Sequence, residues 1–233
     1  DLWQVPEFRE YCRPFANPSN GPQPGLVLEF STEIAVGKNF FGKPLSGLDH
    51  AFSPANYATK VRAFTAAFQN YDVDPAGSSP QLSTSPRFYL VPVGQDRQYC
   101  SDTEFPTMRT WDVVSQRLPV PYILNPESLG NYTYQLTMDG LDGSYAERIR
   151  FGDSRAFISD YGLSGTNDMT LSPLTPGWNS SSRLYGRSAW NTRWLLIIPG
   201  ATLNADKEAG LKRFIDTVTD IKLYLETYSN QGM

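Results

Sequence analysis

The sequence has few of the residues that enzymes use to activate nucleophiles or to bind transition metals. It contains one histidine, His50, in 233 residues, so a zinc site with several histidines is excluded. Any Ser–His or Cys–His mechanism would depend on this one residue. The Gly-x-Ser-x-Gly motif of many nucleophilic serines is also absent. We therefore expect His50 to be a turn or surface histidine, and we expect no catalytic residues.

Cysteine is equally scarce. Cys12 and Cys100 are too few for a disulfide scaffold or for a zinc site with four cysteines. One disulfide between them would close a long loop and stabilise the fold by ~4 kcal/mol. Two separate buried thiols are the alternative, and the sequence leaves both open.

Long apolar runs and an excess of basic charge are lacking as well. No apolar run approaches the ~20 residues of a membrane-spanning helix, and the longest run, 194–199, has the length of a strand. The net charge of −4 without a basic cluster argues against a nucleic-acid partner, which requires a basic surface. The chain has no signal peptide and begins at Asp1, which predicts a processed or excised piece of a longer protein.

Turn residues and aromatic residues are abundant. The chain has 18 glycines and 18 prolines, which favour many turns and few long helices. Residues 189–199 are apolar on both faces in their second half, which predicts a central strand. A short amphipathic helix with Asn204 as its N-cap should precede the last strand. Strand patterns cover 26–36, 86–93, 109–118, 132–138, 189–199 and 220–229. Residues 57–71 also fit a helical stripe, but the β-rich context and the short interval before Pro75 favour a strand with a bulge.

These elements predict an all-β protein, a jelly-roll-type β-sandwich with one short helix before the last strand. Residues 1–25 end in a stretch rich in proline, glycine and asparagine, which predicts an N-terminal arm or linker. Its aromatic side chains dock either on this domain or on a neighbour. Residues 26–233 form one domain. Pro92 predicts that its strand ends there or lies at a sheet edge, and 152–188 has the composition of a long loop.

Three tryptophans are candidates for ligand binding. Trp190 and Trp194 share a face if their segment is a strand, and Trp178 lies in a loop sequence. Aromatic rings on a concave face stack on sugar rings, so the three predict a carbohydrate platform. The alternative is that these rings fill the core, where large aromatics contribute most to burial.

Acidic turns are candidates for a structural calcium ion. Asn70, Asp72 and Asp74 alternate as the first ligands of a calcium loop do. An EF-hand is excluded, because the sixth position is Pro75 rather than glycine and no Glu follows at the twelfth. Asp139 and Asp142 form a second acidic turn. Ordinary turns are the alternative at both places. A pair of carboxylates for glycoside hydrolysis cannot be assigned, because spatial separation decides that chemistry.

The C-terminal third carries a family resemblance. An Arg-Trp-Leu-Leu-Ile-Ile-Pro strand at 193–199 is followed by a short helix and by a closing strand at 218–228 rich in Leu and Tyr. This order resembles the end of the TcA subunits of bacterial Tc toxin complexes. The resemblance implies a β-sandwich through which subunits assemble and which receives the TcB–TcC cocoon. The same motifs also resemble jelly-roll domains in general, including galactose-binding-like modules. No functional residue is carried over from TcA to a position of this chain.

The hypothesis from sequence is a non-enzymatic binding or assembly module of a larger secreted or toxin-like bacterial assembly, whose partners are another protein or sister subunits. It needs no cofactor apart from the structural calcium considered above. The alternatives are a carbohydrate-binding module, a subunit of a shell or filament, and a glycoside hydrolase with dispersed carboxylates.

Overall fold

The structure is a computed structural model that describes part of the chain. The described residues are 1–12, 15–45, 56–71, 81–100, 107–112, 152–158, 184 and 186–231. At some of these positions, Cys100 and Trp111 among them, only the backbone is described. The predicted strand 132–138 lies outside the described residues.

Strands account for most of the regular structure. They are β1 (Gly25–Phe30), β2 (Asn56–Gln69), β3 (Arg87–Cys100), β4 (Thr107–Asp112), β5 (Gly152–Arg155), β6 (Phe157–Ile158), β7 (Trp190–Pro199) and β8 (Asp220–Gln231). The α-helices of the described part are α1 (Pro6–Tyr11) and α2 (Lys207–Thr217), and short 3-10 helices span Leu2–Gln4, Pro18–Asn20 and Gly200–Thr202. None of these helices is long and apolar enough to cross a membrane.

The strands form two sheets. The first sheet has the order β1-β7-β3-β4, with β5 also paired to β3, and all of its pairs are antiparallel. The second sheet has the order β6-β2-β8, in which β2 is antiparallel to β8 and parallel to β6. The all-β prediction is confirmed, and α2 does precede the last strand.

An aromatic core joins the two sheets. Phe64 of β2 meets Phe88 of β3 edge to face at 6.0 Å between ring centroids, and Phe68 meets Phe214 of α2 in the same way at 5.0 Å. Trp194 of β7 belongs to the same buried cluster, which we call the inner core. The predicted amphipathic helix therefore closes the end of this core with Phe214.

A second cluster covers the opposite face of the first sheet. Residues 1–24, the N-terminal segment, pack Leu2, Phe8 and Cys12 against the outward side chains of β3 and β7. We call this the outer cluster; its sheet residues are Tyr89, Val91, Leu195 and Ile197. The strand β7 lies between β1 and β3 and is buried on both faces, as its apolar sequence predicts.

Hydrogen bonds close the N-terminal segment on itself. The Leu2 amide donates to the Gln23 carbonyl at 2.8 Å, and the Trp3 indole donates to the Gly21 carbonyl at 3.0 Å. Gly25 follows directly, and a Cβ there would collide with the Leu2 side chain and the Ile198 carbonyl. The predicted arm thus packs on this domain, and it contains a helix, α1, that the sequence patterns did not predict.

Pro92 lies inside β3 rather than at its end, and β3 has neighbours on both sides. Among the described residues, β5 pairs with 87–90 and β4 pairs with 95–100, so 91–94 have no strand partner on that side. Of the two predicted alternatives, the strand end is wrong. The edge position applies only locally, because the missing N–H of Pro92 faces the gap between β5 and β4.

Other boundaries differ in detail. The bulged strand predicted at 57–71 is confirmed as β2, which has two register shifts against β8. The N-cap of α2 is Asp206 rather than Asn204, and its carboxylate accepts from the Ala209 amide. The short strands β5 and β6 fall in the stretch predicted as a loop, because their few residues carry too little apolar pattern to be read locally.

Candidate functional site

Trp194 is fully buried in the inner core. Its ring stacks on Phe30 at 6.4 Å, and its indole N–H donates to the Thr32 hydroxyl at 2.9 Å. The same hydroxyl accepts from the backbone N–H of Asn191 at 2.9 Å. Trp194 therefore has a packing role and a hydrogen-bonding role inside the protein.

Trp190 is 9% exposed and also contributes to the inner core. The Arg97 guanidinium lies 5.7 Å from its ring, and Tyr99 packs on it at 5.2 Å. Neither tryptophan of β7 presents a free face to a sugar ring. The carbohydrate platform then depends on Trp178, which lies outside the described residues.

The predicted calcium ligands Asp72, Asp74, Asp139 and Asp142, like His50, also lie outside the described residues. Within the part of the chain that is described, no three His, Cys, Asp or Glu side chains are grouped to hold a metal ion. Cys12 is buried in the outer cluster. Because only the backbone of Cys100 is described, the disulfide between the two stays a prediction.

A buried polar cluster is the most chemically distinctive feature of the described interior. Asp96 accepts from the Arg187 guanidinium at 3.1 Å and from the Asn191 side-chain amide at 2.6 Å. All three side chains are at most 1% exposed. The Arg187 carbonyl accepts from the Val61 amide of β2 at 2.7 Å, so Arg187 links the second sheet to the first.

A bulge in β3 positions Asp96 in this cluster. The register against β7 shifts between Val93 and Asp96, where Gly94 has φ of 80°. A positive φ favours glycine, and a Cβ at Gly94 would meet the Thr192 hydroxyl at 2.9 Å. The sequence analysis missed this cluster, although a glycine inside a strand pattern is a recognised sign of a bulge.

Burial raises the pKa of Asp96 to about 6, and the Arg187 charge and the hydrogen bonds from Arg187 and Asn191 only partly offset this. A carboxyl with a raised pKa marks an active-site candidate when it lines a cleft. Asp96 is 0% exposed, so it does not line a cleft. The cluster connects the two sheets through hydrogen bonds.

The outer edge of β1 is an accessible feature with binding potential among the described residues. β1 pairs with β7 over Gly25–Phe30, and in the described part of the chain no strand pairs with its other side. The Pro24 carbonyl accepts from the Gly200 amide, so in this register even-numbered residues of β1 hydrogen-bond to β7. Because backbone groups alternate along an antiparallel strand, Gly25, Val27 and Glu29 direct theirs outward.

An apolar groove adjoins the start of β1. Its apolar lining is Pro24 with Leu211 and Ile215 of α2, and the groove has a volume of about 380 Å³. Ile215 is 58% exposed, and Leu28 of β1 is 37% exposed. Glu208, Lys212 and Asp216 lie at the sides of the groove. This edge and groove together form the candidate binding surface.

The chain matches no protein-family model, no curated protein and no solved structure.

Proposed function

We propose that this chain is a non-enzymatic binding and assembly module of a larger secreted or toxin-like bacterial assembly, folded as a jelly-roll β-sandwich. It binds a protein partner through the outer edge of β1. The observation that supports the proposal is the outward-facing backbone of Gly25, Val27 and Glu29 beside the apolar groove on α2.

A free strand edge is a template for another strand. Its N–H and C=O groups supply hydrogen bonds that do not depend on the partner's side chains, and neighbouring pockets supply specificity. Natural proteins protect such edges with charges, prolines or bulges. β1 carries one charged residue, Glu29, whose carboxylate already pairs with Arg193 at 2.9 Å.

The non-enzymatic part of the proposal rests on the sequence, with its one histidine and no recognisable nucleophile motif. The resemblance of the C-terminal third to the assembly end of TcA subunits points in the same direction. A secreted bacterial assembly is the setting that this resemblance implies.

Two measurements test the proposal. The native mass of the purified chain, measured by light scattering over a concentration series, identifies the kind of partner: a mass above that of the monomer indicates sister subunits, and a monomer indicates a different protein. A panel of glycoside, ester and peptide substrates should show no turnover above that of a heat-denatured control. Turnover that follows the purified chain through a second chromatographic step would overturn the proposed function.

A further inference from the structure

The side chains and backbone of β1 have a pattern that suits one particular partner. The outward-facing residues Gly25, Val27 and Glu29 are centred on Val27. Leu26 and Leu28 point to the other face from these three, since side chains alternate along a strand. Any partner strand must therefore hydrogen-bond to the backbone of the three outward-facing residues. It must also place apolar residues opposite the two leucines.

We propose that β1 pairs antiparallel with β1 of a second copy of this chain, about a twofold axis at Val27. This inference rests on the assembly function proposed above and names the partner. Pairing around Val27 sets Gly25 of each copy opposite Glu29 of the other. Because all of these residues direct their backbone groups outward, each of these pairs can exchange two hydrogen bonds.

The charge of the strand fixes this register. A twofold axis at Glu29 would set two carboxylates directly opposite each other, which is destabilising. An axis at Gly25 would leave little overlap between the strands. An axis at Leu26 or Leu28 would face backbone groups that are already bonded to β7. The axis at Val27 retains the full overlap and places each glutamate opposite a glycine.

The apolar side chains are complementary in the same register. Leu28 of one copy lies opposite Leu26 of the other, in a pair without backbone hydrogen bonds, where side chains approach closely. The diagonal neighbour of Leu28 is Pro24 of the second copy, which lines the groove with Leu211 and Ile215. The partly exposed leucine of each copy can thus enter the apolar groove of the other. An isologous contact of this kind closes as a dimer.

The test uses Glu29→Pro with Glu29→Ala as its matched control. Both variants lose the Arg193 ion pair, but only proline removes the outward N–H. Neither variant removes a hydrogen bond to β7. We expect sedimentation over a concentration series to show a dimer for the wild type and Glu29→Ala, and at least a tenfold weaker dimer for Glu29→Pro.

Leu28→Lys is a second variant that does not alter the backbone. A lysine there would face Leu26 of the second copy and should weaken the dimer tenfold or more. Val36→Lys is its control, because Val36 is 68% exposed and lies outside β1. Circular dichroism spectra that match the wild type would show that each variant is folded.

The outcomes separate this inference from the proposed function. A dimer that survives both Glu29→Pro and Leu28→Lys would overturn pairing through β1 while leaving assembly in place. A wild-type chain that stays monomeric at all concentrations would overturn pairing between copies. Turnover on the substrate panel would instead overturn the assembly function, whatever the oligomeric state.

Discussion

On the inner face of the first sheet, Trp194, Leu196 and Ile198 of β7 pack into the core between the two sheets. On the outer face, Leu195 and Ile197 of the same strand pack against the N-terminal segment. The two faces are equally apolar in sequence. They differ in what covers them, because one layer is a hydrogen-bonded sheet and the other is a short segment closed on itself.

The two layers also differ in the contacts that hold them on the first sheet. The inner layer is tied to the first sheet by aromatic contacts and by the Arg187–Asp96 ion pair. The outer layer is tied to the sheet mainly by apolar contacts, and its hydrogen bond from Leu2 to Gln23 lies within the N-terminal segment itself. Regions with fewer long-range ties open at lower free energy. We therefore expect the two layers to respond differently to the same substitution.

Phe64→Ala should have the largest effect, because Phe64 is fully buried in the inner core. Replacing a buried phenylalanine with alanine costs about 4 kcal/mol through lost burial and the cavity left behind. The measurement is the free energy of unfolding by chemical denaturation. The loss should appear as lower hydrogen-exchange protection in both sheets at once. A loss confined to β2 would contradict a single cooperative inner core.

Phe8→Ala is the matched substitution on the outer face, since Phe8 is also fully buried. We expect a cost of about 3 kcal/mol that falls on the docking of the N-terminal segment. Hydrogen exchange should show faster exchange of α1, while β7 retains its protection. Equal loss of protection in α1 and β7 would show that the outer layer unfolds together with the core.

The sequence alone could predict the inner layer better than the outer one. The central position of β7 and the alternation of β8 follow from patterns over many residues, which local reading captures. The pattern of β2 also fits a helix, and its β-rich context is what favours a bulged strand. The helix α1 and the strands β5 and β6 are too short to carry such a pattern. Their positions depend on contacts with the first sheet, which are not visible in the local sequence.

The candidate site was less predictable than the fold. The strand at β1 was predicted, but its place at the edge of a sheet depends on which strands pair, and strand order is a tertiary property. The ion pair between Asp96 and Arg187 joins residues 91 positions apart. Local composition contains no signal for such a pair. The tryptophans of β7 were visible in sequence, but only the packing decides whether such rings are buried.

The smallest predicted effect concerns pH and the ion pair that joins the sheets. Burial raises the pKa of Asp96 to about 6 in the folded state, whereas an unfolded aspartate titrates near its ordinary value of about 4. The folded chain therefore binds this proton more tightly than the unfolded chain does. This contribution to stability is fully present below about pH 4 and is lost as the pH rises through about 6.

Asp96→Asn tests this sign, because asparagine has nearly the same shape and does not titrate. We expect the free energy of unfolding of the wild type, minus that of Asp96→Asn, to increase by about 2 kcal/mol between pH 7.5 and pH 4.5. Other carboxyl groups cancel in this difference. A decrease on acidification would mean that attraction to Arg187 outweighs the cost of burying the carboxylate. In that case the ion pair would strengthen the inner layer at neutral pH. The difference in stability between the inner and the outer layer would then be larger than the raised pKa of Asp96 indicates.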